Sequence, residues 1–205
     1  MYVSFDCAVK ILETGGPVVF PTDTVWGIGV AVRCSRDPQP LYKAKDRSPG
    51  KPVAWLVADR SALGIYGCDI PAHAHKLADM FWPGPLTLVV EASERVPIPY
   101  RSEEGTIGLR MPDCKVCRKL MEEVDSPLAT TSANLSNMCP VPGWKPFDPA
   151  LEGMPDVPVL ESCRMYGSDG VSETASTVID CTGVYPKILR AGASDSAITE
   201  FLSTL

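Results

Sequence analysis

Ser126-Pro127-Leu128-Ala129-Thr130-Thr131-Ser132-Ala133-Asn134-Leu135-Ser136 opens as a buried strand and closes on a run of hydroxyl and amide side chains. Small polar residues at the C-terminal end of a strand suit a site that hydrogen-bonds a ligand and admits it close to the backbone. The same residues also suit a turn in which Ser and Asn bond their own backbone. Two other unusual segments, Lys45-Asp-Arg47-Ser-Pro-Gly-Lys51 and Pro21-Thr22-Asp23-Thr24-Val25-Trp26-Gly27, likewise sit just beyond apolar runs.

Elements alternate on both sides of that strand. Phe5, Ala8, Val9 and Leu12 recur at helical spacing, which predicts an opening helix stopped at Gly15-Gly16. A short strand is expected at Pro17–Phe20, a helix over Pro38–Lys45 with Leu41 and Ala44 inward, and a strand within Pro52–Ala58. A helix from Ala72 to Phe81 should stop at Trp82-Pro-Gly-Pro85, followed by strands at Leu86–Glu91 and Thr106–Met111. Val116, Leu120 and Val124 form one stripe of a helix that begins near Cys114. Residues 138–158 hold six prolines and read as an irregular connector with a helical turn near Ala150. Further strands are expected at Val157–Leu160, Ser176–Cys181 and Lys187–Arg190. A terminal helix with a capping start at Ser194 would carry Ile198, Phe201, Leu202 and Leu205. This order implies one α/β domain over residues 1–205, a mixed sheet with helices packed on it.

At 205 residues, with 45% apolar and 21% charged content, the chain can bury one substantial core. No apolar run approaches a membrane span, and the first residues lack a basic leader and an apolar core; a cytoplasmic location is expected. Eight cysteines are too sparse for a disulfide-stapled domain, and Cys114-x-x-Cys117 has no second pair to complete a zinc set. No metal site is therefore expected. A net charge of −6 opposes a general nucleic-acid surface, although six basic residues against two acids crowd Arg33–Lys51. A local cationic segment on an acidic protein fits a small polyanion.

The familiar nucleophilic machinery is missing: there is no Gly-x-Ser-x-Gly elbow, no Walker loop, and His73 and His75 sit together on one helix. Chemistry must rest on cations, hydroxyls and backbone amides. Lys45 and Arg47, one residue apart, would project to the same side of an extended segment and hold phosphate oxygens as point charge and planar fork; simple solvent exposure is the alternative. Ser132 and Asn134 share the spacing.

Seven segments together resemble the YrdC-type threonylcarbamoyl-AMP synthases. They are Pro21–Gly27, Lys45-x-Arg47, Phe81-Trp-Pro-Gly-Pro-Leu-Thr87, Leu109-Arg-Met-Pro112, Thr131-Ser-Ala-Asn-Leu-Ser136, Ser176-Thr-Val-Ile-Asp180 and Ile188-Leu-Arg190-x-Gly192. They follow the family's order over nearly the whole chain, in its short, single-domain form. The resemblance implies a large twisted mixed sheet lining a concave site, and a reaction in which L-threonine, bicarbonate and ATP with Mg²⁺ give threonylcarbamoyl-AMP and pyrophosphate. It further implies transient contact with the complex that transfers the group to tRNA; weak or no direct tRNA binding is expected from the charge of −6.

Residue by residue, Lys45, Arg47, Ser132 and Asn134 match the family's catalytic tetrad around the nucleotide, with Lys51, Thr106 and Arg190 as further ATP contacts. Thr22, Arg110, Thr130 and Ser176 match positions that hold threonine. Val25 and Trp26 are candidates for a site wall or for core. Three departures stand out: Asn137 in place of a usual Gly, Cys114 in place of a common His, and Pro-Gly-Lys-Pro after Arg47. Other readings on the same fold are a carbamoyl-transfer domain, an RNA-binding module and a catalytically altered paralog.

Overall fold

The structure, a computed structural model, describes residues 1–46, 50–135, 139–143, 147–149, 153–154, 156–161, 172 and 174–203. In chain order the elements are β1 (Tyr2–Val3), α1 (Phe5–Glu13), β2 (Val18–Phe20), β3 (Gly27–Ala31), α2 (Gln39–Ala44), β4 (Ala54–Leu56), α3 (Ala62–Tyr66), α4 (Ala72–Phe81) and β5 (Leu86–Glu91). A 3₁₀ turn (Ile98–Tyr100) precedes β6 (Thr106–Arg110), α5 (Lys115–Glu123), β7 (Leu128–Ser132), β8 (Val159–Leu160), β9 (Thr177–Asp180), β10 (Lys187–Arg190) and α6 (Asp195–Leu202). Among the described residues, ten strands join one mixed sheet in the order β1-β8-β2-β3-β7-β4-β6-β5-β9-β10.

Alternation along the strands sorts side chains between two apolar layers. Val18, Phe20, Ala31, Leu56 and Leu128 pack under α1 and α5, together with Ala8, Leu12, Val116, Leu120 and Val124. Their neighbours Val19, Ile28, Val30, Trp55 and Ala129 point the other way, with Leu86, Leu88, Val90 and Leu109. That larger layer holds Leu41, Leu63, Leu77 and Ile198 from α2, α3, α4 and α6. α1 and α5 cover this face over the apolar parts of β1 to β7 and over Leu56 of β4. From the polar end of β7 and across β4 to β10, residues facing the same way line an open cleft instead.

The expected elements are found with shifts of one or two residues at most ends. Ser4 caps α1 by accepting from the Cys7 amide at 3.3 Å, and Gly15 takes φ 78° just after it. β1, β3 and α3 were not anticipated. In β3 the glycines mask the strand signal, yet the packing requires them. A Cβ on Gly29 would lie 2.9 Å from the Phe20 ring and from Thr130 Oγ1, and one on Gly27 would lie 3.0 Å from Thr130 Cγ2. Two details differ from expectation. Ser194 adopts left-handed φ 63° with no side-chain cap bond, so α6 starts without a capping box. Lys45 ends α2 and Asp46 is left-handed (φ 46°), so the segment entering Arg47 is a helix terminus, not extended. Ala150, Asn137 and Leu205 lie outside the described residues.

Cys114 caps α5 and Cys117 lies inside it, both buried, so this pair serves helix packing. Burial raises the Cys114 thiol to about 11 and the Cys181 thiol to about 12, and moves Cys117 well above its ordinary 9.0. Burial likewise raises the Tyr100 phenol to about 12. Each of these groups holds its proton more tightly folded than unfolded. Their contribution is therefore complete below about pH 9 and is lost as pH climbs through the folded values. Under reducing conditions, Tm is expected to stay level from about pH 7 to 8.5 and to fall steadily above about pH 9. A calorimetric Tm still unchanged at about pH 11 would contradict this assignment.

Candidate functional site

The open half of the face forms a cleft of about 790 Å³, in the range of small-molecule sites. Its floor is the sheet itself. Thr106, Gly108 and Arg110 alternate along β6, Thr87 and Val89 along β5, and Thr130 and Ser132 along β7. Gly27 and Gly29 oppose Ser132 and Thr130 in register; Gly27 lines the cleft, while the Phe20 ring and Thr130 fill the space beside Gly29. Lys45 enters from the end of α2, Ser176 from just before β9 and Arg190 from the end of β10. Thus Thr22, Lys45, Lys51, Thr106, Arg110, Thr130, Ser132, Asn134, Ser176 and Arg190 converge on one cavity. Arg47 lies outside the described residues. Val25 and Trp26 line the cavity and are also buried, Trp26 against the Phe147 ring at 5.3 Å.

Two cations are built in. Lys45, only 3% exposed, donates from Nζ to the Ser132 carbonyl and lies 3.3 Å from Ser132 Oγ and 3.4 Å from Thr131 Oγ1. Arg110, 6% exposed, is clamped at three points: Nε to the Gly84 carbonyl (3.1 Å), Nη1 to Thr24 Oγ1 (2.9 Å) and Nη2 to Asp23 Oδ1 (2.5 Å). Two of its five N–H groups stay available to a ligand. A buried charge so fixed meets an anion in the correct orientation at no further ordering cost.

Arg190 is more exposed, but its guanidinium grips Ser176 through Nε to O (3.1 Å), Nη2 to O (2.8 Å) and Nη2 to Oγ (3.1 Å). Partial desolvation, then the nearby Arg110 charge, lower its pKa from the ordinary value. Two guanidiniums that oppose each other's charge mark where an anion is wanted.

The hydroxyls divide by function. Thr22 donates to the Val25 carbonyl (2.7 Å) and accepts from the Thr24 amide (3.1 Å) and hydroxyl (3.0 Å). It is saturated, and it supports Thr24 under Arg110. Thr130 donates to the Leu128 carbonyl (2.9 Å), so towards a ligand it can only accept. Asp23, Thr24 and Thr87 were missed by sequence reasoning. The available signal was weak: polar residues inside a quoted motif, and one Thr at the alternate position of an apolar strand. Neither His73 nor His75 lines the cavity. Among the described residues no three His, Cys, Asp or Glu side chains are placed to hold a metal, and no helix is long and apolar enough to cross a membrane.

The Sua5_yciO_yrdC family model, described as "Telomere recombination", matches residues 10–192. The threonylcarbamoyl-AMP synthase of Pyrococcus abyssi is 34% identical over 186 residues, 90% of this chain and 53% of that protein. The chain thus spans about half of that relative's length. The crystal structure of P. abyssi Sua5 complexed with L-threonine superposes with a TM-score of 0.84 at 28% identity, covering 98% of this chain and 60% of that one. Escherichia coli YciO shares the fold, with a TM-score of 0.75 at 23% identity over 94% of this chain and 95% of its own.

Proposed function

The chain belongs to the Sua5/YciO/YrdC family, and from that premise we propose that it is a threonylcarbamoyl-AMP synthase. L-threonine, bicarbonate and MgATP are the substrates; threonylcarbamoyl-AMP, pyrophosphate and the water expelled when the amine and bicarbonate form the carbamate are the products. The observation that carries this reading is the convergence of Lys45, Arg110 and Arg190 with Thr130, Ser132 and Asn134 in one cavity that holds no imidazole.

Each substrate finds its chemical counterpart. The two remaining N–H groups of Arg110 suit an α-carboxylate, and the accept-only Thr130 hydroxyl suits an α-ammonium. Lys45 and Arg190, with Arg47 by family likeness, suit phosphate oxygens. Threonylcarbamate is already an anion, so its carbamate oxygen attacks the α-phosphorus without a base. The bond to pyrophosphate breaks as the new P–O bond forms. The protein's task is alignment and neutralisation of the leaving charge. Mg²⁺ would arrive with the nucleotide as MgATP and would neutralise its phosphate oxygens; among the described residues, Glu104 is the acid lining the cavity. The product then passes, in the cytoplasm, to a complex that transfers the threonylcarbamoyl group to tRNA. The acidic chain itself binds RNA weakly.

Pyrophosphate release provides the test, with threonine, bicarbonate and ATP present together and with each omitted in turn. Dependence on all three is expected. Release without threonine, or none with the complete mixture, rejects the proposal.

A further inference from the structure

Thr87 Oγ1 and Ser176 Oγ lie 2.9 Å apart in the floor of the cleft, each residue 5% exposed. Arg190 donates to that same Ser176 hydroxyl at 3.1 Å and to the Ser176 carbonyl at 2.8 Å. Two hydroxyls own two hydrogens. One is spent on the bond between them, and an arginine can only donate, so one hydroxyl hydrogen is left over. The other hydroxyls at this end have none to give: Thr22 donates to the Val25 carbonyl and Thr130 to the Leu128 carbonyl.

We propose that Thr87 is a positioning residue that fixes the orientation of the Ser176 hydroxyl and, through it, the stance of Arg190. The Thr87–Ser176 pair then offers the remaining hydroxyl hydrogen to an acceptor oxygen of the amino-acid substrate, while Arg190 faces the nucleotide. One three-residue chain thereby links the two substrates. The assignment rests on the synthase reading for the identity of those substrates. Position 87 lies in β5 between Leu86 and Leu88 and diagonally across from Gly108, the partner of Val89, whose added Cβ would stand 3.4 Å from Thr87 Cγ2. Leu86 and Leu88 turn to the apolar layer while Thr87 faces the cleft, and among the described residues its hydroxyl bonds to Ser176.

The decisive comparison is Thr87→Val, which keeps shape and strand propensity and deletes the hydroxyl, against Thr87→Ser, which keeps it. For Thr87→Val the KM for L-threonine is expected to rise about 10-fold and that for ATP about 3-fold. The dissociation constant of L-threonine, titrated calorimetrically without ATP, should rise by the same 10-fold. Thr87→Ser should stay within about 2-fold of the parent in all three. If the valine is not tolerated, Thr87→Ala removes the hydroxyl with no added volume and makes the same comparison. Unchanged constants in the hydroxyl-free variants overturn the proposal, as does a serine variant as impaired as valine. Should the parent release no threonine-dependent pyrophosphate yet bind L-threonine, the synthase reading fails while the titration still decides Thr87. A parent that does not bind L-threonine overturns both.

Discussion

Asp23→Ala is expected to cost about 3–5 kcal/mol of stability, because it strands the buried Arg110 guanidinium without its counter-charge. Both side chains of the pair are 7% exposed, so little water can replace the lost partner. For a chain of this length that loss corresponds to a fall in Tm of roughly 6–20 °C. Removing both charges, as Asp23→Ala with Arg110→Met, should recover most of the loss, since an apolar pair carries no desolvation penalty. Urea unfolding with an unchanged slope measures both numbers. A single variant within about 1 kcal/mol of the parent would show that the pair is not the clamp its geometry describes.

Lys45→Met has the opposite profile: a small effect on stability and a large one on turnover. Methionine keeps the apolar stem that threads to the end of β7, so the main structural loss is the bond to the Ser132 carbonyl, about 1–3 kcal/mol. The kcat/KM for pyrophosphate release should drop by about 10²- to 10³-fold, as expected for losing a fixed charge at a phosphoryl centre. Lys45→Arg should rescue poorly, because a planar fork cannot take the place of a compact ammonium wedged between Thr131 and Ser132. Near-parental turnover of the methionine variant would remove Lys45 from the reaction.

Periodicity made much of this architecture legible. α4 and β5 run over the expected Ala72–Phe81 and Leu86–Glu91, and the stripe Val116, Leu120, Val124 is buried as its spacing implied. Local rules failed where a residue answers to a distant one. β3 contains two glycines because Phe20 and Thr130 occupy the space of their side chains, and no window of sequence around Gly29 contains that fact. For the same reason the family likeness could bring Arg110 to the site but not Asp23 and Thr24, which hold it from 87 and 86 residues away. Thr87 escaped notice because its partner Ser176 lies 89 residues downstream. The order of the strands, set by parallel seams such as β5 with β9, was equally beyond local patterns.

The floor of the cleft is one sheet, with Lys45 reaching in from the end of α2 and Arg190 standing on the outermost strand. Arg190, Leu189 and Glu104 remain open to solvent along one rim. Among the described residues, that rim leaves the cleft accessible from the side. Under the proposed synthase reading, the mixed anhydride would leave the shelf sideways, across that solvent-facing rim.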